Sequence, residues 1–287
     1  MSEYSKYVVT ELKAPFPPEA AARYATFATR ILWMDENVVP GAFQMNCSWY
    51  RKAFEMGPEP HVHDTNEIIG FFGNDAADPY NLHGEVEFWL GDEKQTITKS
   101  AMIFIPAGMK HCPLIIRRVD KPIFHFSVVT EGQWITKKAV KEYTPATEYS
   151  RYVVTDLIMP EDKRKIAAAY NKYARRVLWL DKDVAPGAFN MNTAWYLKAA
   201  MTLEDKPHTH DTDEIIGFFG NDAARPNDLG GEIEIWLGDE KQVITKSAMI
   251  FVPAGLVHCP LNLKRVDRPI FHFTVVPSQR YVKNEKR

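Results

Sequence analysis

Hydrophobic and polar residues follow two patterns along the chain, and both patterns occur in each half. A polar, alanine-rich segment comes first, over 18–32 and 161–178, with charged residues spaced for one exposed helical face. Short apolar or alternating runs follow, separated by clusters of Gly, Pro, Asn and Asp, as is typical of strands and turns. In the first half these runs cover 42–54, 67–73, 85–91, 96–105 and 123–129. The pattern predicts one helix and many short strands per half, which favours a sandwich or barrel.

The two halves are copies of each other. Residues 60–130 align with residues 207–277 at an offset of 147, and the 71 aligned positions differ at 18 and are identical at 53. A repeat of this length is a whole domain, because solenoid and propeller units contain only about 20 to 50 residues. We therefore expect two related domains, over 1–145 and 146–287, packed like a dimer fused into one chain.

Composition and charge exclude several classes of protein. The 287 residues are 45% hydrophobic and 25% charged, which is typical of a globular protein. Because Lys and Arg number 35 and Asp and Glu number 37, the net charge of -2 gives no attraction to nucleic acid or anionic lipid. No apolar stretch reaches the roughly 18 to 20 residues of a membrane helix, and no signal core is present at the start. We expect a cytoplasmic protein with no membrane partner.

Each half contains histidine and glutamate residues with the spacing of a metal site. His61 and His63 precede Glu67, and His111 follows later, after a Pro-Ala-Gly turn. Two histidines at i and i+2 on a strand point to the same side, and a tight turn lets the glutamate point to the same interior. A histidine from another strand completes the set. The second half repeats the pattern with His208, His210, Glu214 and His258.

Three imidazoles and one carboxylate are borderline ligands that suit Fe, Mn, Ni, Cu or Zn. Four protein ligands leave two positions open on a six-coordinate ion, where water, dioxygen or a bidentate substrate can enter. The sequence therefore predicts a divalent transition-metal ion, one or two per chain. The repeated motif does not by itself establish a second metal ion, since a recent copy inherits its motif whether or not the motif is used.

The motifs resemble those of the cupins, and the duplication resembles that of the two-domain bicupins. The motifs G-x5-H-x-H-x3-4-E-x6-G and G-x5-P-x-G-x2-H-x3-N are similar to the segments around the eight predicted ligands. The opening glycine of the second motif is a serine here, at Ser100 and Ser247, and its asparagine is Ile115 in the first half. The resemblance implies an all-β fold with minor helices, in which each half forms a double-stranded β-helix barrel, the cupin jelly roll, around its metal.

Two further histidines are candidate catalytic residues. His125 and His272 lie in Pro-Ile-Phe-His-Phe runs, where they could support the metal ligands or relay protons. Packing in the core is the alternative, because strand parity alone does not fix which face points inward. Cys112 and Cys259 directly follow ligand histidines, so alternation predicts that they point away from the metal. Alternating glutamates could supply an acid or base, although they usually mark a solvated face: Glu85, Glu87, Glu232 and Glu234.

The predicted pocket is apolar and aromatic. Its candidate walls share the parity of the glutamate or lie on the preceding strand: Ile69, Phe71, Ile216, Phe218, Trp49, Tyr50, Trp195 and Tyr196. The only cation on that preceding strand, Arg51, is replaced by Leu197 in the second half. A small dianion such as oxalate requires a fixed guanidinium, so this substrate is disfavoured in the second half.

Three functional hypotheses follow. The first is a metal-dependent oxidoreductase of the dioxygenase type, acting on a small apolar or aromatic substrate beside Fe or Mn. The second uses the ion, with Zn, Ni and Cu as further alternatives, as a Lewis acid for decarboxylation or isomerisation. The third is a non-catalytic protein that binds metal or a small molecule. In each case the expected partner is a small molecule, and a homo-oligomer is an open alternative to the monomer.

Overall fold

The structure is a computed structural model that describes residues 3–130, 137–138, 149–201 and 206–285. The first half contains a 3-10 helix at Ser5–Tyr7, helix α1 at Pro18–Ala25, and strands β1 Val8–Val9, β2 Ala28–Met34, β3 Met45–Tyr50, β4 His61–Val62, β5 Glu67–Gly73, β6 Asn81–Leu90, β7 Glu93–Lys99, β8 Ala101–Ile105, β9 His111–Val119, β10 Ile123–Val129 and β11 Lys137–Lys138. The second half contains a 3-10 helix at Tyr149–Tyr152, helix α2 at Glu161–Tyr170, and strands β12 Val153–Val154, β13 Ala174–Leu180, β14 Asn190–Tyr196, β15 His208–Thr209, β16 Glu214–Gly220, β17 Asp228–Leu237, β18 Glu240–Lys246, β19 Ala248–Val252, β20 His258–Val266, β21 Ile270–Val276 and β22 Asn284–Glu285.

Each half is built from one six-stranded and one five-stranded antiparallel sheet. The N-terminal barrel has the strand orders β12-β8-β5-β10-β3-β2 and β11-β4-β9-β6-β7. The C-terminal barrel has the orders β1-β19-β16-β21-β14-β13 and β18-β17-β20-β15-β22. The sequence prediction of an all-β fold with minor helices is confirmed. Among the described residues, neither helix is long and apolar enough to cross a membrane.

The first strand of each half pairs with the opposite barrel. Val8 of β1 lies opposite Ile250 of β19, and Val153 of β12 lies opposite Ile103 of β8. Each large sheet is therefore completed by two residues from the other half. The predicted boundary between residues 145 and 146 lies outside the described residues and stays a prediction.

Aromatic side chains join the two barrels through a common core. The ring of Phe124 contacts those of Phe219 and Phe271, with centroid distances of 5.0 and 4.7 Å. Trp49 and Trp195 are fully buried and make edge contacts with Phe124 and Phe271, respectively. The prediction that these tryptophans line a pocket is therefore wrong, because they pack where the barrels meet. The interface resembles a protein core more than a contact between separable domains.

The helical segments are shorter than the sequence predicts. Helix α1 ends at Ala25 and α2 at Tyr170, and the residues that follow form β2 and β13. The last four residues of β2, Ile-Leu-Trp-Met, are all buried against the barrel. Pairing with β3 and burial of these large side chains outweigh the helical composition of the segment. The run at 96–105 also divides into two strands, β7 and β8, at Ser100.

Candidate metal centres and their cavities

The structure brings together the four predicted metal ligands of the first half. The ligand nitrogens of His61, His63 and His111 all lie within 4.8 Å of one another. Glu67 Oε2 lies 3.5 Å from His63 Nε2 and 3.4 Å from His111 Nε2. All four side chains are buried. Strands β4, β5 and β9 therefore converge on one point inside the N-terminal barrel, with His61 directly opposite His111 in the ladder.

Backbone carbonyls fix the tautomer of two of these imidazoles. Nδ1 of His61 donates to the carbonyl of Glu59 at 2.7 Å, and Nδ1 of His111 donates to that of Met109 at 2.9 Å. Because a carbonyl only accepts, each Nδ1 carries the proton and each Nε2 has a lone pair. Among the described residues, His111 Nε2 and Glu67 Oε2 are buried and make no hydrogen bond. Lone pairs left in this way are rare in proteins and fit a divalent transition-metal ion.

Ser127 on β10 orients the carboxylate of Glu67. Its hydroxyl donates to Glu67 Oε1 at 2.5 Å, which leaves Oε2 facing the imidazoles. Burial raises the pKa of Glu67 to about 7, and the hydrogen bond from Ser127 acts against this rise. Burial and the neighbouring His61 lower the pKa of His111 to about 3, so its ring is neutral near pH 7. A neutral imidazole is the form that binds metal.

The second half repeats most of the arrangement, but His210 groups with Glu214 and His258, and His208 groups with His258 and Cys259. Glu214 Oε2 lies 3.4 Å from His210 Nε2 and 3.2 Å from His258 Nε2. The rings of His208 and His258 lie opposite each other, with centroids 4.3 Å apart. The hydroxyl that corresponds to Ser127 belongs to Thr274 and accepts a hydrogen bond from Asn192 at 2.5 Å. Within the described chain, Glu214 therefore lacks the hydroxyl donor that orients Glu67.

The two cysteines beside the ligand histidines do not point away from the centres, so that prediction is wrong. Cys259 Sγ lies within 4.8 Å of the ligand nitrogens of His208 and His258. Cys112 lines the cavity at the first centre. Both cysteines have positive φ angles, 71° and 70°, which break the alternation of side chains along a strand. Burial raises the pKa of Cys112 far above that of an exposed thiol, so the group is protonated at neutral pH.

A cavity of about 580 Å³ opens onto the first centre. His61, Glu67 and His111 form part of its wall. Most of the remaining wall is apolar or aromatic, with Phe16, Tyr24, Phe27, Trp33, Tyr50, Phe54, Ile69, Leu114 and Ile116. This size and lining are usual for a site that binds a small organic molecule.

The wall also contains a cation that sequence reasoning missed. The guanidinium carbon of Arg30 lies 4.2 Å from the ring centre of Tyr24 and 4.5 Å from that of Phe16. One of its nitrogens donates to Asn46 Oδ1 at 3.1 Å. Within the described residues, no carboxylate pairs with this guanidinium. The cation is therefore held by aromatic rings and an amide, and it remains able to bind an anion.

Arg30 was missed because the composition of 18–32 predicts a helix, whereas the structure places this residue on strand β2. The register between β2 and β3 shifts between Arg30 and Leu32, at a β-bulge. Sequence reasoning considered Arg51 instead, but its guanidinium donates to the carbonyls of Ala25 and Ala28. The available signal was the repeat, which conserves an arginine at Arg176.

His125 and His272 lie among aromatic side chains inside the barrels. Nδ1 of His125 donates to the carbonyl of Gly70 at 3.1 Å, and the ring stacks between Tyr50 and Phe71 at 4.6 and 5.1 Å. The His125 ring also lines the cavity of the first centre. Burial lowers the pKa of His125 to about 3, so the ring is neutral near pH 7. His272 makes the matching contacts with Gly217, Tyr196 and Phe218.

Two of the alternating glutamates form ion pairs and do not lie on a fully solvated face, since Glu87 is buried and Glu234 is only partly exposed. Glu87 pairs with Lys94 at 3.0 Å and with Arg117 at 2.7 Å. Glu234 pairs with Lys241 at 2.9 Å. Neither glutamate lines the cavities described for the two barrels. Both side chains are engaged in ion pairs on the outer side of their sheets.

Comparison with solved structures identifies the fold. No protein-family model and no curated protein matches the chain. A serine-to-alanine mutant of Bacillus subtilis oxalate decarboxylase OxdC matches with a TM-score of 0.55 and 11% identity, over 88% of this chain and 74% of that chain. A glutamate-to-alanine mutant of the same enzyme gives 0.56 and 10%, over 96% and 86%. AerE from Microcystis aeruginosa gives 0.52 and 11%, over 94% and 98%.

These similarities show that the chain has the two-domain cupin fold. The predicted pair of cupin barrels is thereby confirmed. At identities of 10 to 12%, the similarity concerns the fold alone. The reaction has to be argued from the residues of this chain.

Proposed function

We propose that the N-terminal barrel is the active site of a metal-dependent cupin enzyme that acts on a small organic carboxylate. The observation that carries this proposal is one cavity whose wall includes Glu67, His111 and the guanidinium of Arg30. A substrate can therefore contact the centre with one end and place a carboxylate on Arg30 with the other. The volume and aromatic walls suit a substrate larger than a two-carbon acid.

His61, His63, Glu67 and His111 would hold the metal, and the bound ion would act as a Lewis acid for negative charge that develops on the substrate. A structure of similar fold is described as an oxalate decarboxylase with Mn(II) centres, which supports a divalent ion such as Mn. Fe is the equal alternative, because three imidazoles and one carboxylate suit it as well.

The remaining roles belong to side chains of the cavity wall. Arg30 binds and orients the carboxylate, and the aromatic side chains exclude water from it. His125 has its proton fixed on Nδ1 by the carbonyl of Gly70, so Nε2 is the atom that can accept. With a pKa of about 3, Nε2 is a weak base at neutral pH, and it positions a substrate hydroxyl or passes a proton on without retaining it.

Decarboxylation or isomerisation of the bound carboxylate is the first candidate reaction, because a guanidinium faces the same cavity as the centre. A dioxygenase reaction is the second candidate. Its support is the largely apolar wall, which suits an aromatic or enol substrate and excludes water.

The test begins with elemental analysis of the purified protein, followed by assays with aryl and keto acids in air and under nitrogen. Release of CO₂ or rearrangement without O₂ uptake supports Lewis-acid chemistry, whereas O₂ consumption that depends on substrate supports the dioxygenase. We expect Arg30→Gln to raise KM about tenfold with unchanged metal content. The matched variant Arg176→Gln should leave turnover unchanged. Absence of turnover in metal-loaded protein would favour the non-catalytic binding hypothesis.

A further inference from the structure

The C-terminal barrel contains a second cavity, of about 470 Å³, that the proposed active site does not use. Its described wall carries four cationic side chains and no acidic one, namely Lys163, Lys172, Arg176 and Lys283. The cavity of the N-terminal barrel instead balances two cations against two acids, Arg23, Arg30, Glu19 and Glu67. The repeated barrels have therefore diverged in the charge of their cavities, while the predicted metal ligands stayed the same.

Arg176 is the fixed cation of this cavity. Its guanidinium carbon lies 4.7 Å from the ring centre of Tyr170 and 5.3 Å from that of Trp179, and one nitrogen donates to Asn192 Oδ1. In the described part of the chain, no carboxylate pairs with it. Arg176 is only partly exposed, so an anion that reaches it meets a weakly screened charge.

The lysines extend the positive charge across the cavity. The ammonium groups of Lys163 and Lys283 lie 5.8 and 5.6 Å from the ring centre of Tyr281. The ammonium group of Lys163 also pairs with the carboxylate of Asp162, at 3.2 Å, whereas Lys172 is exposed to solvent. Position 172 corresponds to Thr26 in the first half, so this cation is specific to the second barrel.

Tyr281 lines this cavity and also contacts one predicted ligand of the second metal centre. Its ring packs against the ring of His210, with centroids 4.8 Å apart. The carbonyl of the next residue, Val282, accepts from His210 Nδ1. None of the four predicted ligands of the second half belongs to the described wall of the cavity. A molecule in the cavity therefore contacts cations and aromatic rings without contacting the metal ligands.

We propose that this cavity is a recognition site for an organic anion that carries a ring and at least two negative charges. Guanidinium and ammonium groups together bind carboxylate or phosphate oxygens, and the positive potential raises the local concentration of such anions. The rings of Tyr170, Tyr173, Trp179 and Tyr196 supply apolar surface for the ring of the ligand. A polycarboxylate and a phosphate ester offer the same chemistry, and the experiment distinguishes them.

The test is isothermal titration of the full chain, as purified, with trimesate as the polycarboxylate and phenyl phosphate as the phosphate ester. We expect saturable binding of at least one probe, which weakens severalfold when salt is raised from about 50 to 200 mM. Arg176→Gln should weaken binding about tenfold, because a charge-assisted hydrogen bond is lost. Lys172→Thr, an exposed substitution that restores the residue of the first half, should weaken it about threefold.

Arg30→Gln is the matched control in the other barrel. Binding that it weakens belongs to the first cavity, whereas the binding event that Arg176→Gln weakens should change less than twofold. Thermal unfolding of each variant checks that the fold is intact, and Arg176→Lys should recover part of the affinity. The proposal is overturned if neither probe binds, if Arg176→Gln and Lys172→Thr bind like the parent protein, or if the loss follows Arg30→Gln instead. Turnover assays are not involved, so failure here leaves the proposed active site unaffected.

Discussion

Replacing Ser127 by alanine should weaken metal binding at the first centre and make that binding depend more strongly on pH. The hydroxyl of Ser127 is buried, donates to Glu67 Oε1 at 2.5 Å, and makes the only hydrogen bond to that carboxylate that the described structure shows. A hydrogen bond to a charged group contributes about 1.5–3 kcal/mol, and loss of a partner that orients a ligand costs about 10- to 100-fold in metal affinity. We therefore expect a loss of at least tenfold near pH 7.

The pH dependence follows from the pKa of Glu67. Burial already raises it to about 7, and the bond from Ser127 holds it down, so removing the bond raises the pKa further. A proton on Glu67 then competes with the metal up to a higher pH. The Ser127→Ala variant should therefore need a higher pH than the parent protein to reach its full metal affinity. The effect should be largest between about pH 6 and 8.

The assay is competition between the protein and a chromophoric chelator for Mn²⁺ across that pH range. Thr274→Val is the matched variant in the second half, where the hydroxyl accepts from Asn192 and leaves Glu214 alone. It should change the affinity of the second centre by less than about threefold. Equal affinities for Ser127→Ala and the parent protein at every pH, or an equal loss in Thr274→Val, would refute the role given to this hydroxyl.

Three further predictions concern metal content, acid stability and packing. Glu67→Gln and Glu214→Gln should each remove up to one equivalent of metal by elemental analysis, and a chelator should lower the Tm until Mn²⁺ is restored. The pKa of His125 is about 3 when folded and about 6.5 when unfolded, so the unfolded chain binds the extra proton and stability falls as pH drops from 6.5 towards 3. In His125→Phe, the fall in the free energy of unfolding between pH 6 and 4, measured by urea titration, should be smaller by up to about 1.4 kcal/mol per pH unit. An unchanged dependence of this free energy on pH would contradict the prediction. Gly70→Ala should lower stability by at least about 1–3 kcal/mol, because a Cβ there would lie 2.2 Å from the Phe126 ring; an unchanged Tm would contradict this packing.

Local patterns were sufficient to predict the positions of the candidate metal ligands. The i and i+2 spacing of His61 and His63 places both rings on one side of a strand, and the structure places Glu67 and His111 beside them. The duplication and the strand-like runs predicted two related all-β domains and left a sandwich or a barrel open; the choice of a barrel came from the resemblance of the motifs to those of the cupins. In each of these cases, the information lies within a few residues or in the repeat between the two halves.

Features that depend on local backbone irregularities or on distant pairing were missed. Arg30 lies on β2, in a segment whose composition predicts a helix, and Cys112 turns toward the centre because of its positive φ, which breaks simple alternation. Residues 28–34 form strand β2 because they pair with β3 and are buried, which their composition does not reveal. The exchange of β1 and β12 joins residues at least 50 positions apart, so no local pattern indicates it.

Because β1 and β12 are exchanged, neither half has a complete large sheet without the other. Val8 lies opposite Ile250 as Val153 lies opposite Ile103, so one contact is made twice about an approximate twofold axis. A half expressed alone would expose the outer edge of β8 or β19, and such open edges recruit other strands. Two identical ancestral subunits could have closed each other's edges in the same way. Fusion into one chain would then have preserved this strand pairing. Each cavity was free to acquire its own ligand, while the paired strands stayed under constraint.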